Sequence, residues 1–145
     1  MKKGFSLLIF GLLTLLLLSS CKSVSLIDKN LEKKWYIVEL KGYTKEDLIK
    51  NKASIEFAKD AENKFMEMRA FAGCNQMMYS AEILKGNKLK INGGASTLMA
   101  CQDMQMESNL SAQLIQMKKY SIEGHYLILS DEKGNKIKLL AEDWD

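Results

Sequence analysis

The chain has 145 residues, with 21 basic and 18 acidic side chains and a formal net charge of +3 at pH 7. That length predicts a single domain. Lysine and arginine do not cluster between aromatic residues, which argues against nucleic acid as a partner, and one histidine with three cysteines lacks the spacing of a closed zinc site.

The first twenty residues have the pattern of a secretory signal peptide. Lysines near the start precede an apolar run over residues 5–18, which is shorter than the roughly 20 apolar residues that a membrane-spanning helix needs. The run ends in Leu18-Ser19-Ser20-Cys21, which resembles a lipobox, where a lipoprotein is cut before the cysteine and lipidated on it. We therefore predict a signal peptide over residues 1–20 and lipid attachment, palmitate included, at Cys21. The alternative is an uncleaved anchor helix with an incidental cysteine.

The mature chain starts with a short polar stretch over residues 21–30, which predicts a tether between the lipid and a domain over residues 31–145. Removal of the signal peptide leaves this chain nearly neutral. Cys74 and Cys101 remain once Cys21 carries lipid, and an even pair in an exported protein indicates a disulfide. Two buried free thiols are the alternative.

Strands dominate the first half of the domain. Apolar residues that are β-branched or aromatic, or that alternate with polar ones, predict strands over residues 35–40, 53–57, 64–71, 77–84 and 88–91. Residues 44–49 predict one helical turn with Thr44 as its N-cap. Residues 92–103 have no period and contain Gly93-Gly94, so we expect a loop there.

One amphipathic helix follows, because Met106, Leu110, Leu114 and Met117 recur at helical spacing within residues 105–119. Strands over residues 120–122, 126–130 and 136–141 close the chain, the last two joined by a hairpin turn. The sequence therefore predicts an α+β fold, an antiparallel sheet or partly closed small barrel with one packed amphipathic helix.

Few residues are candidates for catalysis or metal binding. His125 lies in a predicted turn without a nucleophile motif to serve, so we favour a structural role. Met99, Cys101, Met104 and Met106 are close in sequence and of the type that binds Cu(I), but methionine also fills irregular cores, and we favour the core. We predict no catalytic, cofactor or metal site and no enzymatic activity.

Two motifs resemble a known family. Ala72-Gly73-Cys74-Asn75 and Ser96-Thr97-Leu98-Met99-Ala100-Cys101, followed by Glu107, Leu114, Tyr120 and Leu127-Ile128-Leu129, are similar to the META domain of the HslJ heat-shock type. Family members often carry a glycine shortly before a tyrosine, whereas in this chain Met78 precedes Tyr79. The resemblance covers residues 31–140 and implies a small β-rich domain with a helix, an envelope location and a link to stress or antibiotic tolerance. It implies no reaction.

The motif residues have a structural interpretation. Gly73 permits a tight backbone, Asn75 and Thr97 are suited to hydrogen-bond the loop backbone, and Cys74 and Cys101 are placed to tie the two loops. We favour this interpretation over ligand binding.

The sequence thus predicts a lipid-anchored, HslJ-like envelope lipoprotein with a non-enzymatic, stress-related binding or stabilising role. Its expected partners are the membrane, through the lipid, and an envelope protein or small ligand. Lys22-Ser23 carries no acidic sorting residue, which favours the periplasmic face of the outer membrane. The alternative is a small-ligand or metal-binding periplasmic lipoprotein that uses a pocket between helix and sheet or the Met/Cys loop.

Overall fold

The computed structural model describes residues 28–62 and 64–144, so the predicted signal peptide, Cys21 and most of the predicted tether lie outside the described residues. The helices are α1 (Lys45–Lys50) and α2 (Gln105–Leu114), and a short 3-10 helix, Glu142–Trp144, ends the described chain. The strands are β1 (Lys34–Glu39), β2 (Ser54–Lys59), β3 (Met66–Phe71), β4 (Gln76–Leu84), β5 (Lys88–Ser96), β6 (Lys119–Glu123), β7 (Tyr126–Ser130) and β8 (Lys136–Ala141).

The strands form one antiparallel ring in chain order. Each strand pairs with the next, and β1 pairs with β8 to close the ring. The seam between β5 and β6 is thin, with Lys88 opposite Lys119 as its register pair, and helix α2 lies in the chain between these two strands. The predicted antiparallel, barrel-like α+β fold with one main helix is confirmed.

Two predicted boundaries were wrong. The segment predicted as a loop from residue 92 continues β5 to Ser96. A Cβ at Gly94 would lie 2.1 Å from the carbonyl oxygen of Met78, so this glycine allows a close approach of two strands, and it does not mark a turn. The helix predicted to residue 119 ends at Leu114, and Lys119 already pairs with Ser130 in β6.

The inside of the ring is filled with apolar side chains. Alternate residues of every strand point inward, and Trp35, Phe57 and Met68 are among those that are fully buried. Leu110 and Leu114 of α2 are equally buried and cover one end of the ring. Among the described residues, the buried apolar cluster runs from Leu31 to Ala141, and all eight strands of the ring lie within this range.

The ring has two distinct ends. The tether end carries the entering segment 28–33 and the turns at residues 60–65, 85–87 and 124–125, whereas the motif end carries α1, segments 72–75 and 97–104, α2 and the turn at 131–135. The Tyr120 hydroxyl donates to Asp28 Oδ2 over 2.8 Å at the tether end. This bond fixes the point at which the chain enters the barrel. Within residues 28–62 and 64–144 no helix has the length and apolar character needed to cross a bilayer.

Candidate functional site

Asn75 is the centre of the motif end. It is fully buried, and its Oδ1 accepts hydrogen bonds from the Thr97 hydroxyl at 2.9 Å and from the Met99 N–H at 2.8 Å. Its Nδ2 donates to Glu107 Oε2 at 3.1 Å, and its backbone N–H donates to Glu107 Oε1. One side chain therefore joins the segment after β3, the segment after β5 and helix α2.

Thr97 extends the pairing of β4 with β5 by one residue. Its backbone N–H donates to the Gln76 carbonyl, and its Oγ1 accepts from the Gln76 N–H, both at 3.1 Å. The same hydroxyl donates to Asn75. Both the donor and an acceptor site of the hydroxyl are thus used to hold the two motif segments together.

Cys74 and Cys101 are joined by a disulfide, with their Cα atoms 6.4 Å apart. This separation lies inside the usual range for such bonds. The bond ties the segment before β4 to the segment before α2, beside the hydrogen bonds of Asn75. Cys101 sulfur is consequently not a free thiolate in this state.

Gly73 lies where the motif segment meets α1. Its φ is +111°, and a Cβ there would come within 2.5 Å of Asn51 Oδ1. The left-handed backbone and the close side chain both favour glycine. The segment that carries Asn75 therefore packs against the C-terminal end of α1 as well as against α2.

Glu107 belongs to this site, although sequence reasoning assigned it no role beyond the family resemblance. It is buried on α2, and it precedes Leu110 and Leu114 by three and seven residues, which places it on the apolar face of the helix. A carboxylate on a buried face requires hydrogen-bond partners. That spacing is the signal from which its role could have been predicted.

The remaining candidates are spread over the molecule. Met106 is buried in the core, while Met99 and Met104 are exposed on the segment before α2. His125 lies at the tether end, where its ring stacks on Trp144 with the ring centroids 3.3 Å apart. Among the described residues, no group of three or more histidine, cysteine or acidic side chains is placed to hold a metal ion.

Two large apolar side chains are exposed next to each other at the motif end. Leu98 is 97% exposed and Met99 is 55% exposed. They follow Thr97, which is bonded to Asn75, and precede Cys101, which is bonded to Cys74. Leu98 and Met99 are therefore exposed on a segment whose backbone is fixed at both ends, by the hydrogen bond of Thr97 and by the disulfide of Cys101.

Comparisons with known proteins give one family and one fold. The family model described as META domain matches residues 29–144. No curated protein sequence matches the chain. Among solved structures, the NMR structure of the protein from Burkholderia xenovorans is similar, with a TM-score of 0.61 and 17% identity over 79% of this chain and 85% of that chain. At this identity the likeness shows the fold alone.

Proposed function

Because the chain belongs to the META domain family, we propose that it is an envelope lipoprotein whose domain binds or stabilises another envelope protein under stress, without catalysing a reaction. The pattern Leu18-Ser19-Ser20-Cys21 after a short apolar run supports the lipid anchor. The proposed location is the periplasmic face of the outer membrane.

The hydrogen bonding of the motif residues supports a non-catalytic role. A catalytic group must be able to reach a substrate. The carboxylate of Glu107 instead accepts two hydrogen bonds from Asn75, and the Thr97 hydroxyl is bonded on two sides within the same cluster. These residues support the loop backbone.

The observation that carries the proposal is the exposure of Leu98. An apolar side chain on a rigid backbone loses little conformational entropy on binding, and exposed apolar surface marks interaction sites. We infer that Leu98 and Met99 contact an apolar segment of another envelope protein, of the kind that unfolding under stress exposes. The described chain enters the barrel at the tether end, opposite the motif end.

The anchor is tested by replacing Cys21 with Ala and fractionating cells. The proposal expects the variant to remain unprocessed or to leave the lipidated membrane fraction. A variant that is still cut after residue 20 and still partitions with lipid would contradict the anchor.

The binding role is tested with a photo-crosslinking side chain at position 98 in intact cells, with and without heat or antibiotic stress. A matched control carries the same group at Lys85, which is exposed at the tether end. We expect stress-dependent adducts from position 98 only, and Leu98→Asp should reduce stress survival as strongly as deletion of the protein. Equal adducts from both positions, together with full survival of Leu98→Asp, would contradict the role.

A small-ligand-binding lipoprotein is the second candidate function. It is favoured by a groove of about 840 Å³ between α1 and the outer face of β1 to β3. Asn75, Thr97 and Glu107 do not line this groove, which is formed by the short helix rather than by α2.

A further inference from the structure

The floor of this groove is a row of side chains that the strand register places side by side. Tyr36 on β1 pairs with Leu140 on one side and with Ser54 on the other, and Ser54 pairs with Phe71. Because Tyr36 and Phe71 are two strands apart, about 10 Å separates their backbones. Ser54, which is 7% exposed, lies between them. A small residue between two rings leaves a slot about as wide as one acyl chain or flat ring.

The rim of the groove is cationic. Lys34, Lys45, Lys52 and Arg69 line it together with a single carboxylate, that of Glu56. Such a four-to-one balance at an apolar slot complements a ligand that is anionic at one end. The neighbouring register row, two residues along each strand from the floor, places Lys34, Glu56 and Arg69 on one side of the slot, and α1 forms the other side.

The two sides differ in how their cations are paired. Lys34 Nζ lies 3.3 Å from Glu142 Oε1, and Arg69 Nη2 lies 3.3 Å from Glu67 Oε2. Exposed ion pairs of this kind are weak and exchangeable. Within residues 28–62 and 64–144, Lys45 and Lys52 have no such partner. The α1 side therefore presents the ammonium groups that are available to a bound anion.

Lys52 is held in a costly backbone conformation. Its φ is +51°, and the bonds Lys52 N–H to Ile49 O and Ala53 N–H to Leu48 O form the helix-terminating motif in which glycine is the usual residue at this position. A lysine in the left-handed region is less stable there than glycine. A local cost of this kind, next to a groove, points to a role for the side chain itself.

We propose that this groove binds an anionic amphiphile, a carboxylate or phosphate attached to one apolar chain or ring, with the anion at Lys45 and Lys52 and the apolar part between Tyr36 and Phe71. The volume suits a ligand of that size, and charge-assisted hydrogen bonds to lysine supply the preference for an anion. The inference rests on the second candidate function and is independent of the anchor and of Leu98.

The experiment uses the chain without its first 20 residues and with Cys21→Ser, which retains all eight strands of the ring and the buried apolar cluster from Leu31 to Ala141. Octyl phosphate, octanoate, octanol and octyltrimethylammonium are titrated below their micelle concentrations, and binding is followed by amide chemical shifts. We expect both anions to shift residues around Ser54 and to bind about three- to tenfold more tightly than octanol or the cation. Inorganic phosphate distinguishes a site for free phosphate, and it should bind far more weakly.

The variant Lys52→Gly separates binding from folding. Removal of the ammonium should weaken octyl phosphate about three- to tenfold, whereas relief of the left-handed backbone should raise Tm by about 2–6 °C. Lys88→Gln, which removes a charge at the tether end, should change neither affinity nor shifts. Ser54→Val fills the slot and should weaken octanol and octyl phosphate alike.

The outcomes distinguish the class of the ligand, ligand binding itself and the role of Lys52. Equal binding of octanol and octyl phosphate at Ser54 would overturn the anionic class and leave ligand binding intact. No chemical-shift change at Ser54 with any probe would overturn both the anionic class of the ligand and ligand binding in the groove. Unchanged octyl phosphate affinity in Lys52→Gly would overturn the role of that lysine. Binding of a polyglutamate peptide without binding of octyl phosphate would make the groove a peptide site and contradict the proposal.

Discussion

Glu107 holds Asn75 by two hydrogen bonds across 32 residues of sequence, one to the backbone N–H and one to the side-chain amide. Both residues are buried, so water does not replace either bond when it is lost. The pair connects α2 to the segment that carries the disulfide. The packing of the helix on the barrel and the shape of the motif loops therefore depend on the same carboxylate.

Replacement of Glu107 should destabilise the protein. Glu107→Ala leaves the buried backbone N–H of Asn75 without an acceptor and its Nδ2 with only the Met99 carbonyl at 3.5 Å, and we expect a loss of about 2–4 kcal/mol in the free energy of unfolding. Glu107→Gln keeps one acceptor and should lose less. Denaturant unfolding measures both, with the exposed Glu132→Gln as control. A Glu107→Ala protein as stable as that control would contradict the role of the pair.

Most strands were predictable because they alternate apolar with polar residues or are rich in β-branched and aromatic ones. Met66, Met68 and Ala70 alternate with polar neighbours and all point inward. The end of β5 was wrongly predicted as a loop because of Gly93-Gly94. A glycine pair occurs both in loops and in strands that approach another backbone closely. The close approach at Gly94 depends on its partner strand, and a lone sequence does not contain that information.

The candidate site was predictable in part. The motifs around Asn75 and Thr97 stand out by their resemblance, and the structure places these residues in contact. The contact of Asn75 with Glu107 could have been predicted only by asking why a carboxylate lies on the apolar face of α2. A pocket between helix and sheet was the alternative, but the place and lining of this groove could not be predicted, because Tyr36, Ser54 and Phe71 become neighbours only through the register of three strands.

Gly94 should not tolerate a side chain. A Cβ there would lie 2.1 Å from Met78 O and 2.9 Å from Tyr79 Cδ1, so β4 and β5 must separate in Gly94→Ala. We expect a loss of about 1–3 kcal/mol in the free energy of unfolding. Gly93→Ala is the matched control, since nothing lies within 4 Å of its Cβ. Equal stability of the two variants would show that the strands are less close than described.

The disulfide should contribute a large share of the stability. Cys74 and Cys101 close a loop of 27 positions, for which chain entropy predicts about 3–4 kcal/mol. Guanidinium unfolding with and without reductant measures this difference, and the double variant Cys74→Ala/Cys101→Ala should match the reduced protein. Thiol counting on protein unfolded without reductant should find neither cysteine free. Detection of both thiols would contradict the bond.

Tyr120 should make the stability sensitive to alkaline pH. Burial, and then the hydrogen bond to Asp28, raise the pKa of Tyr120 above its ordinary value of 10.0. The folded protein therefore keeps the phenol proton at pH values where the unfolded chain loses it. This contribution is complete below about pH 10 and is lost as pH rises further, by about 1.4 kcal/mol per pH unit until the folded pKa is reached.

The variant Tyr120→Phe tests that sign. At pH 7 it lacks the hydrogen bond to Asp28 and should be about 1 kcal/mol less stable than the wild type. Above about pH 10 only the wild type loses stability by keeping a buried phenol protonated. The difference in the free energy of unfolding between the two proteins should therefore shrink and then reverse. Urea unfolding between pH 7 and pH 11 measures the difference, with the exposed Tyr126→Phe as control. A difference that stays constant or grows with pH would show that Tyr120 is not the group that titrates.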